Sequence, residues 1–375
     1  MERTFLQKCA AVMKQEAVSC IALACALISM VFVPPNADYV SYIDFRVLAL
    51  LFCLMAVVAG LQDCGVFAVL AQKLLSGRRR MRFISLVLVL LPFFTSMLIT
   101  NDVALITFVP FTLLVLGLVG RMERAVYLVA LQTVAANLGS MATPVGNPQN
   151  LYLYSAFQIP AGDFFAATLP LTLVSLIGLA AAAVCVRPEG IEVRFPERQR
   201  LRKPRQLGMM GLLFALCLLS VFHALHFAVL LAVVLFCLIL FARRLLARVD
   251  YGLLFTFVCF FIFAGNIGNI PAVKALLSDL MAANGFLTAL GASQLISNVP
   301  AAVLLSGFTA DWRGLLLGTD VGALGTLIAS LASLISFRLY LRSEGAKPLR
   351  YLGVFTLVNI VGLAVLIGVS FLFIL

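Results

Sequence analysis

Four short polar runs interrupt an otherwise apolar chain, and each carries side chains able to bind ions without a formal charge. They are Thr100-Asn101-Asp102, the run Thr143-Pro144-Val145-Gly146-Asn147-Pro148-Gln149-Asn150, the run Ser297-Asn298-Val299-Pro300, and the stretch from Thr319-Asp320 to Ser330. Backbone amides and carbonyls left unpaired in hydrocarbon are costly, so a helix breaks there only where protein, water or a ligand supplies partners. In the second run two prolines and a glycine must stop a helix, because each proline removes an amide donor. Carbonyls freed in this way, together with Thr and Asn side-chain oxygens, suit a desolvated Na⁺, while the amide ends of half-helices favour an anion. A kink merely packed against its neighbours would not need Asn, Gln, Thr and Gly together.

Two of these runs contain an acid. A charged residue at the bilayer centre costs roughly 2.5–3.5 kcal/mol on insertion scales, so Asp102 and Asp320 should be paired, protonated or functional if they lie there. Asp102 reads equally as the residue of an interfacial turn, and Asp320 stands nearer the outer end of its span. Asp63, beside Gly60 and Gly65, is a weaker candidate and more simply a turn residue. Other chemistry finds little support. The nine cysteines form no Cys-x-x-Cys pair and mostly sit in apolar runs, where they pack. His223 and His226 are one helical turn apart without nearby carboxylate or thiolate ligands, so no metal site is expected. No nucleophile, base and metal constellation is spaced for catalysis, and no Gly-x-x-x-x-Gly-Lys-Ser/Thr loop is present, so neither an enzyme nor a self-contained ATP-driven pump is expected.

The elements that must position these runs are membrane spans. The chain is 63% hydrophobic and 11% charged, with a mean hydropathy of +1.11, which excludes a soluble domain. Apolar runs near the roughly 20 residues needed to cross a bilayer predict nine crossings near 17–33, 44–75, 125–158, 164–186, 207–222, 226–242, 251–282, 313–340 and 351–373. The first of these leads into Pro34-Pro35 with no small-residue cleavage pattern, so it reads as a span and not a signal peptide. The net charge of +11 could suggest nucleic acid, but no soluble segment is long enough to form a binding domain. With the N-terminus placed in the cytoplasm, segments 1–16, 73–82, 121–124, 187–206, 243–248 and 338–350 fall on that side. They hold every one of the 27 basic residues except Arg46, Lys274 and Arg313. That asymmetry predicts a multi-pass protein of a bacterial cytoplasmic membrane, with its C-terminus external.

Two further apolar stretches, 83–120 and 284–308, carry the first and third polar runs at their middles. Stretch 83–120 has basic residues at both ends, so it must enter and return on one side; it is either a re-entrant hairpin or two full crossings that put Thr100-Asn101-Asp102 at the outer surface. The second stretch starts and ends outside. Neighbouring segments repeat as well. Asp44 opens the span carrying Ala59-Gly60 and Asp250 the one carrying Ala264-Gly265; Asn101 matches Asn298; Asn137-Leu138-Gly139-Ser140 aligns with Ala323-Leu324-Gly325-Thr326. The reading is an all-α polytopic membrane protein of two inverted-topology repeats, each with a re-entrant helical hairpin and a discontinuous transmembrane helix. Residues 1–186 form the first repeat, with its hairpin near 83–120 and broken helix near 125–158. A basic, solvated cytoplasmic linker follows at 187–206. Residues 207–375 hold a linking span and the second repeat, with its hairpin near 284–308 and broken helix near 313–340.

Three motifs carry a resemblance. Leu98 to Leu105, Thr143 to Asn150, and Ser293-Gln294-Leu295-Ile296-Ser297-Asn298-Val299-Pro300 together resemble the ion transporter superfamily of citrate, dicarboxylate and arsenite carriers, most closely its anion permease branch. The resemblance implies hairpins entering from opposite faces, whose Asn-containing tips meet two unwound helices to bind Na⁺ and substrate. Carried over, the tips are Thr100-Asn101-Asp102 and Ser297-Asn298-Val299, the first unwound run is Thr143 to Asn150, and Gly325 and Thr326 stand at the second. Dicarboxylate members have Ser-Asn-Thr at both tips, whereas this chain has Asp102 and Val299-Pro300. Asn-Asp at the first tip is closer to the arsenite-efflux type. A homodimer is a further implication of the family.

The expected function is a secondary transporter moving a small anion, carboxylate or inorganic oxyanion, by alternating access with Na⁺ or H⁺ coupling. The candidate substrate- and ion-binding residues are Thr100, Asn101, Asp102, Thr143, Gly146, Asn147, Asn150, Ser297, Asn298, Asp320, Gly325 and Thr326. Thr100, Asn101, Gly146, Ser297 and Asn298 are the candidates to hold Na⁺, the one cofactor considered. Two alternatives are a Na⁺/H⁺ antiporter, in which Asp102 and Asp320 bind the ions, and an arsenite-type efflux permease.

Overall fold

The computed structural model describes residues 17–373, so the basic segment 1–16 lies outside the described residues. The chain is almost entirely helical. Helix α1 (Ala17–Phe32) and a single turn, α2 (Tyr39–Tyr42), lead into α3 (Phe45–Asp63). Asp44 starts α3 by accepting from the amide of Val47, and Asp250 does the same for Leu253 at the start of α12 (Tyr251–Gly268). Helix α4 (Val66–Leu75) follows α3 after a break, and a strand, β1 (Gly77–Arg80), leads into α5 (Met81–Thr95) and α6 (Asn101–Leu118). Next come α7 (Ala125–Ser140), α8 (Pro148–Ala156) and α9 (Ala161–Val184), the strand β2 (Gly190–Val193), then α10 (Pro204–Val221) and α11 (Phe227–Phe241). After α12 the chain runs through α13 (Pro271–Ile296), α14 (Asn298–Leu305), α15 (Trp312–Val321), α16 (Leu331–Leu341) and α17 (Pro348–Phe373). Seven of the described helices are long and apolar enough to cross a membrane; several others are shorter apolar pieces that meet end to end.

Three expectations need correction. The span 44–75 is two helices, because Gly65 adopts φ +78° and the exposed carbonyl of Cys64 is taken by the amide of Arg202. The span 251–282 ends at Gly268, and Pro271, which has no amide proton to lose, opens α13. Helix α13 then kinks at Asn284, whose side chain accepts from the amide of Leu287 and so caps the arm of the expected 284–308 hairpin from within. The linker 187–206 is more than a solvated connection: β2 pairs antiparallel with β1, Arg78 opposite Glu192 and Arg80 opposite Gly190. Glu189 accepts from Arg121 at 2.6 Å and from Arg124 at 3.0 Å, while Lys203 and Arg248 hold Asp63 at 2.8 and 3.4 Å. Opposite charges thus clamp the linker to the ends of α3 and α6, which accounts for Asp63 without a transport role.

The helices pair in a crossed manner. The arm α5 packs on α7 and the arm α13 on α15, whereas α6 packs on both α7 and α16 and α14 on both α15 and α8. Each returning arm therefore lies against the broken helix from the other part of the chain. Buried polar side chains bridge the contacts: Gln132 donates to Leu88 O and Thr112 Oγ1, and Thr133 meets Ser336 at 2.6 Å. Such bonds hold helices together where lipid supplies no hydrophobic drive.

Candidate functional site

The two tips are built alike. At the first, the amide of Asn101 donates to Gly146 O at 3.1 Å, while Asn101 Oδ1 accepts from the amide of Asp102 at 3.0 Å. At the second, the amide of Asn298 donates to Ala329 O at 3.0 Å, and Asn298 Oδ1 accepts from the amide of Val299 at 2.9 Å. Each asparagine thereby starts its helix and ties it to a broken one, the first tip to the break after α7 and the second to the break after α15. Ser297 holds φ +73°, a strained conformation for a residue with a Cβ, and its hydroxyl reaches Ala329 O at 3.4 Å.

The first break runs from Met141 to Asn147. Asn147 caps α8 by accepting from the amide of Asn150 at 2.8 Å, and its Nδ2 donates to Ser140 Oγ at 3.3 Å and Asp320 Oδ1 at 3.2 Å. Asn150 Nδ2 turns back to Met141 O and Thr143 O at 3.3 and 3.5 Å, and Thr143 Oγ1 donates to Met97 O in the turn before the first tip. Two carbonyls of the break, Met141 O and Thr143 O, are thus paired by one of the run's own side chains. The second break spans Gly322 to Ser330 and is held from outside itself. Gln294 Nε2 donates to Gly322 O and Leu324 O, and Gln294 Oε1 accepts from the amide of Thr326.

Between the tips lies a small cavity of about 30 Å³. Asn101 and Asp102 border it from α6, Pro148 and Gln149 from α8, Asn298 to Pro300 from α14, and Leu331 from α16, with Ser297 and Ser330 just ahead of their helices. Four helices therefore begin at one place. Each amino end carries about half a positive charge, although the leading amides of α6 and α14 are already taken by Gly146 O, Asn101 Oδ1, Ala329 O and Asn298 Oδ1. Among the described residues no Lys or Arg borders the cavity; Val18, Leu253 and Thr256 close it from α1 and α12.

Of the expected site residues, Asn101, Asp102, Ser297 and Asn298 meet at this cavity, with Thr100 and Gly146 adjoining through the first tip. Asn147, Asn150 and Asp320 form a buried group one layer behind it, and Thr143 braces the first break. Gly325 and Thr326 are not brought to the cavity: Gly325 donates to Asn359 Oδ1, and Thr326 is exposed beside Gln294. Asn137, absent from the candidates, is the most connected side chain here. It accepts from Asn101 Nδ2 and Ser330 Oγ and donates to Ser333 Oγ and Ala323 O. The signal was in the sequence, as a lone asparagine within the apolar run of α7 and the first residue of the Asn137-Leu138-Gly139-Ser140 repeat. No group of three or more His, Cys, Asp or Glu side chains suited to a metal occurs among the described residues; His223 instead accepts from Arg46, and His226 caps α11.

Apolar helices, interrupted at a shared polar centre, define a multi-pass membrane transporter. Residues 8–312 match the family model described as citrate transporter, and the chain belongs to that family, within the ion transporter superfamily. It is 30% identical over 337 residues to an uncharacterized transporter of Methanocaldococcus jannaschii, covering 88% of this chain and 90% of that one. It is likewise 30% identical over 306 residues to the inner membrane protein YbiR of Escherichia coli, covering 79% and 80%. A shorter match, 35% identical over 161 residues, spans 41% of this chain and 32% of the silicon efflux transporter LSI3 of Oryza sativa subsp. japonica.

Proposed function

We propose that this chain is a secondary carrier of a small anion, a carboxylate or inorganic oxyanion, working by alternating access and coupled to Na⁺ or H⁺. The observation that carries the reading is the convergence of four helix amino ends on one cavity that no basic side chain borders among the described residues. Amide ends offset negative charge without the strong hold of a Lys or Arg, which suits a solute that must also leave. Asn101 and Asn298 would orient the solute, and the oxygens of Thr100, Asn101, Gly146, Ser297 and Asn298 would hold Na⁺. Citrate in the family's name and silicon in the rice relative's both point to an oxygen-rich solute.

The crossed packing of the arms α6 and α14 supports two inverted repeats whose hairpins enter from opposite faces. The basic residues support a cytoplasmic N-terminus and an external C-terminus. A cavity of about 30 Å³ is far below the ~300–1,000 Å³ of ordinary ligand pockets, so the two halves must separate to admit a solute. Pairing into a homodimer would give the moving half a fixed base. Asp102 at the cavity favours a second reading, exchange of Na⁺ for H⁺ on that acid.

The experiment is flux of labelled citrate, succinate, sulfate and arsenite in proteoliposomes under imposed Na⁺ or H⁺ gradients. Gradient-dependent flux of one of them, abolished by Asn101→Ala and by Asn298→Ala, is expected. Proton movement driven by Na⁺ alone, lost in Asp102→Asn and unaccompanied by any anion, would replace the anion carrier with the antiporter.

A further inference from the structure

Behind the cavity, two buried acceptors lack donors. Asp320 is 1% exposed and Asn150 is 0% exposed, yet neither Asp320 Oδ2 nor Asn150 Oδ1 has a hydrogen-bond partner among the described residues. Asp320 Oδ1 is held by Asn147 Nδ2 at 3.2 Å, and the amides of Asn147, Asn150 and Gln149 are the polar groups that act on the carboxyl. The elements packed on α15 carry Tyr127 on α7, Tyr152 and Tyr154 on α8, Asp163 on α9, Lys274 and Asp279 on α13, and Arg350 and Tyr351 on α17. Helix α14 carries no ionisable residue, and Arg313 shares α15 itself. None of these exerts a charge effect on Asp320, and no ion pair includes it among the described residues.

A buried carboxylate without a counter-ion is costly, and two orphaned acceptors in one buried group add to the cost. One proton removes both penalties: on Asp320 Oδ2 it cancels the charge and makes a donor for Asn150 Oδ1. A metal cation suits the place less well, because Asn147, Asn150 and Gln149 also bring N–H groups to it.

We propose that Asp320 and Asn150 form a proton site behind the cavity, occupied when Asp320 Oδ2 takes a proton from water and donates it as a hydrogen bond to Asn150 Oδ1. The α8 amino end carries the message. Pro148 and Gln149 border the cavity, and Asn150 follows them in the same helical turn, so its amide must reorient when the proton leaves and the carboxylate seeks N–H donors instead. Release to water regenerates the carboxylate, and the cycle moves one proton without any other bond breaking. The coupling role rests on the carrier reading above; the proton site itself does not.

The test is pH-difference infrared spectroscopy of the full-length protein in liposomes, which reads the C=O stretch of a protonated carboxyl and requires no known solute. A titrating carboxyl band is expected that disappears in Asp320→Asn, remains in Asp102→Asn, and moves to higher frequency in Asn150→Ala, where its acceptor is gone. A spectrum with no such band, a band that survives Asp320→Asn, or one unmoved by Asn150→Ala overturns the site. If Asp320→Asn does not fold, the Asn150→Ala shift decides on the intact acid. Flux in wild-type vesicles separates the two claims: the band without anion flux leaves the proton site and defeats the carrier, whereas pH-driven flux without the band does the reverse.

Discussion

Asn101 and Asn137 face each other at 3.0 Å, the side-chain amide of the first donating to the carbonyl oxygen of the second. The contact joins the first tip to α7 just before that helix breaks. Through Ser330, Ser333 and Ala323, Asn137 also touches both sides of the second break. A single buried side chain thus links two of the four polar runs from within the helix that ends at a third.

Replacing Asn137 by Ala should therefore loosen the whole centre. Interhelical hydrogen bonds in membranes average roughly 0.6 kcal/mol each, so losing four predicts a destabilisation of about 2 kcal/mol. Thermal unfolding of the detergent-purified protein measures it. Asn137→Asp keeps the acceptor for Asn101 and Ser330 but loses both donated bonds and sets a buried charge against Ala323 O, so a melting temperature no higher than that of the Ala variant is expected; a clearly higher value would show that the two accepted bonds outweigh the charge.

Close approach of α5 to α7 depends on Gly139. A Cβ built there would lie 2.1 Å from the carbonyl oxygen of Phe93, a backbone atom that cannot swing aside. Gly139→Ala should force the two helices apart at a cost of about 1–3 kcal/mol or more, read as a lower yield of monodisperse protein. Gly178→Ala on α9, where a Cβ meets nothing within 4 Å, is the control and should be tolerated. Equal behaviour of the two variants would disprove the close contact.

The tips and the first break were legible because Asn, Thr and paired prolines have no cheap place in hydrocarbon, so their presence in apolar runs exposes a special environment. Less was legible where one polar residue serves a distant segment. Nothing near Gln294 in sequence reveals that it pairs with carbonyls of Gly322 and Leu324, and nothing in Arg78-Arg79-Arg80 announces a strand, since its partner lies more than a hundred residues away. The breaks at Gly65 and Gly268 had polar neighbours of their own, Gln62-Asp63 at one and Asn269 with Pro271 at the other, but the long apolar runs on either side read as continuous spans.

His223 gives a pH dependence at the end of α10. Burial, and then the neighbouring Arg46 guanidinium, hold its imidazole below the ordinary value of 6.5. The folded protein keeps the ring neutral to accept from Arg46 and stack on Tyr154, whereas the unfolded chain takes up a proton first as pH falls. Stability should therefore decline as pH drops through 6.5 and level off below the folded-state value. Melting temperature against pH in wild type and His223→Gln checks this; the same decline in both would clear His223 of any part in it.

Gln294 should matter to the second break as the run's own asparagines matter to the first. Its amide donates to Gly322 O at 2.8 Å and to Leu324 O at 2.9 Å, while its oxygen receives the amide of Thr326 at 3.0 Å. Gly325 between them holds φ +112°, and a Cβ there would sit 2.2 Å from Gln294 Oε1, so the glycine and the glutamine require each other. Gln294→Leu keeps the bulk but leaves two carbonyls and one amide unpaired, with a penalty of about 1–3 kcal/mol for each that stays out of water's reach. Gln294→Glu keeps only the acceptor for Thr326 and places a charge against two carbonyl oxygens, so it should be worse than Leu. Melting temperatures that rank Glu above Leu would mean that the Thr326 amide, and not the pair of carbonyls, is what Gln294 is there to satisfy.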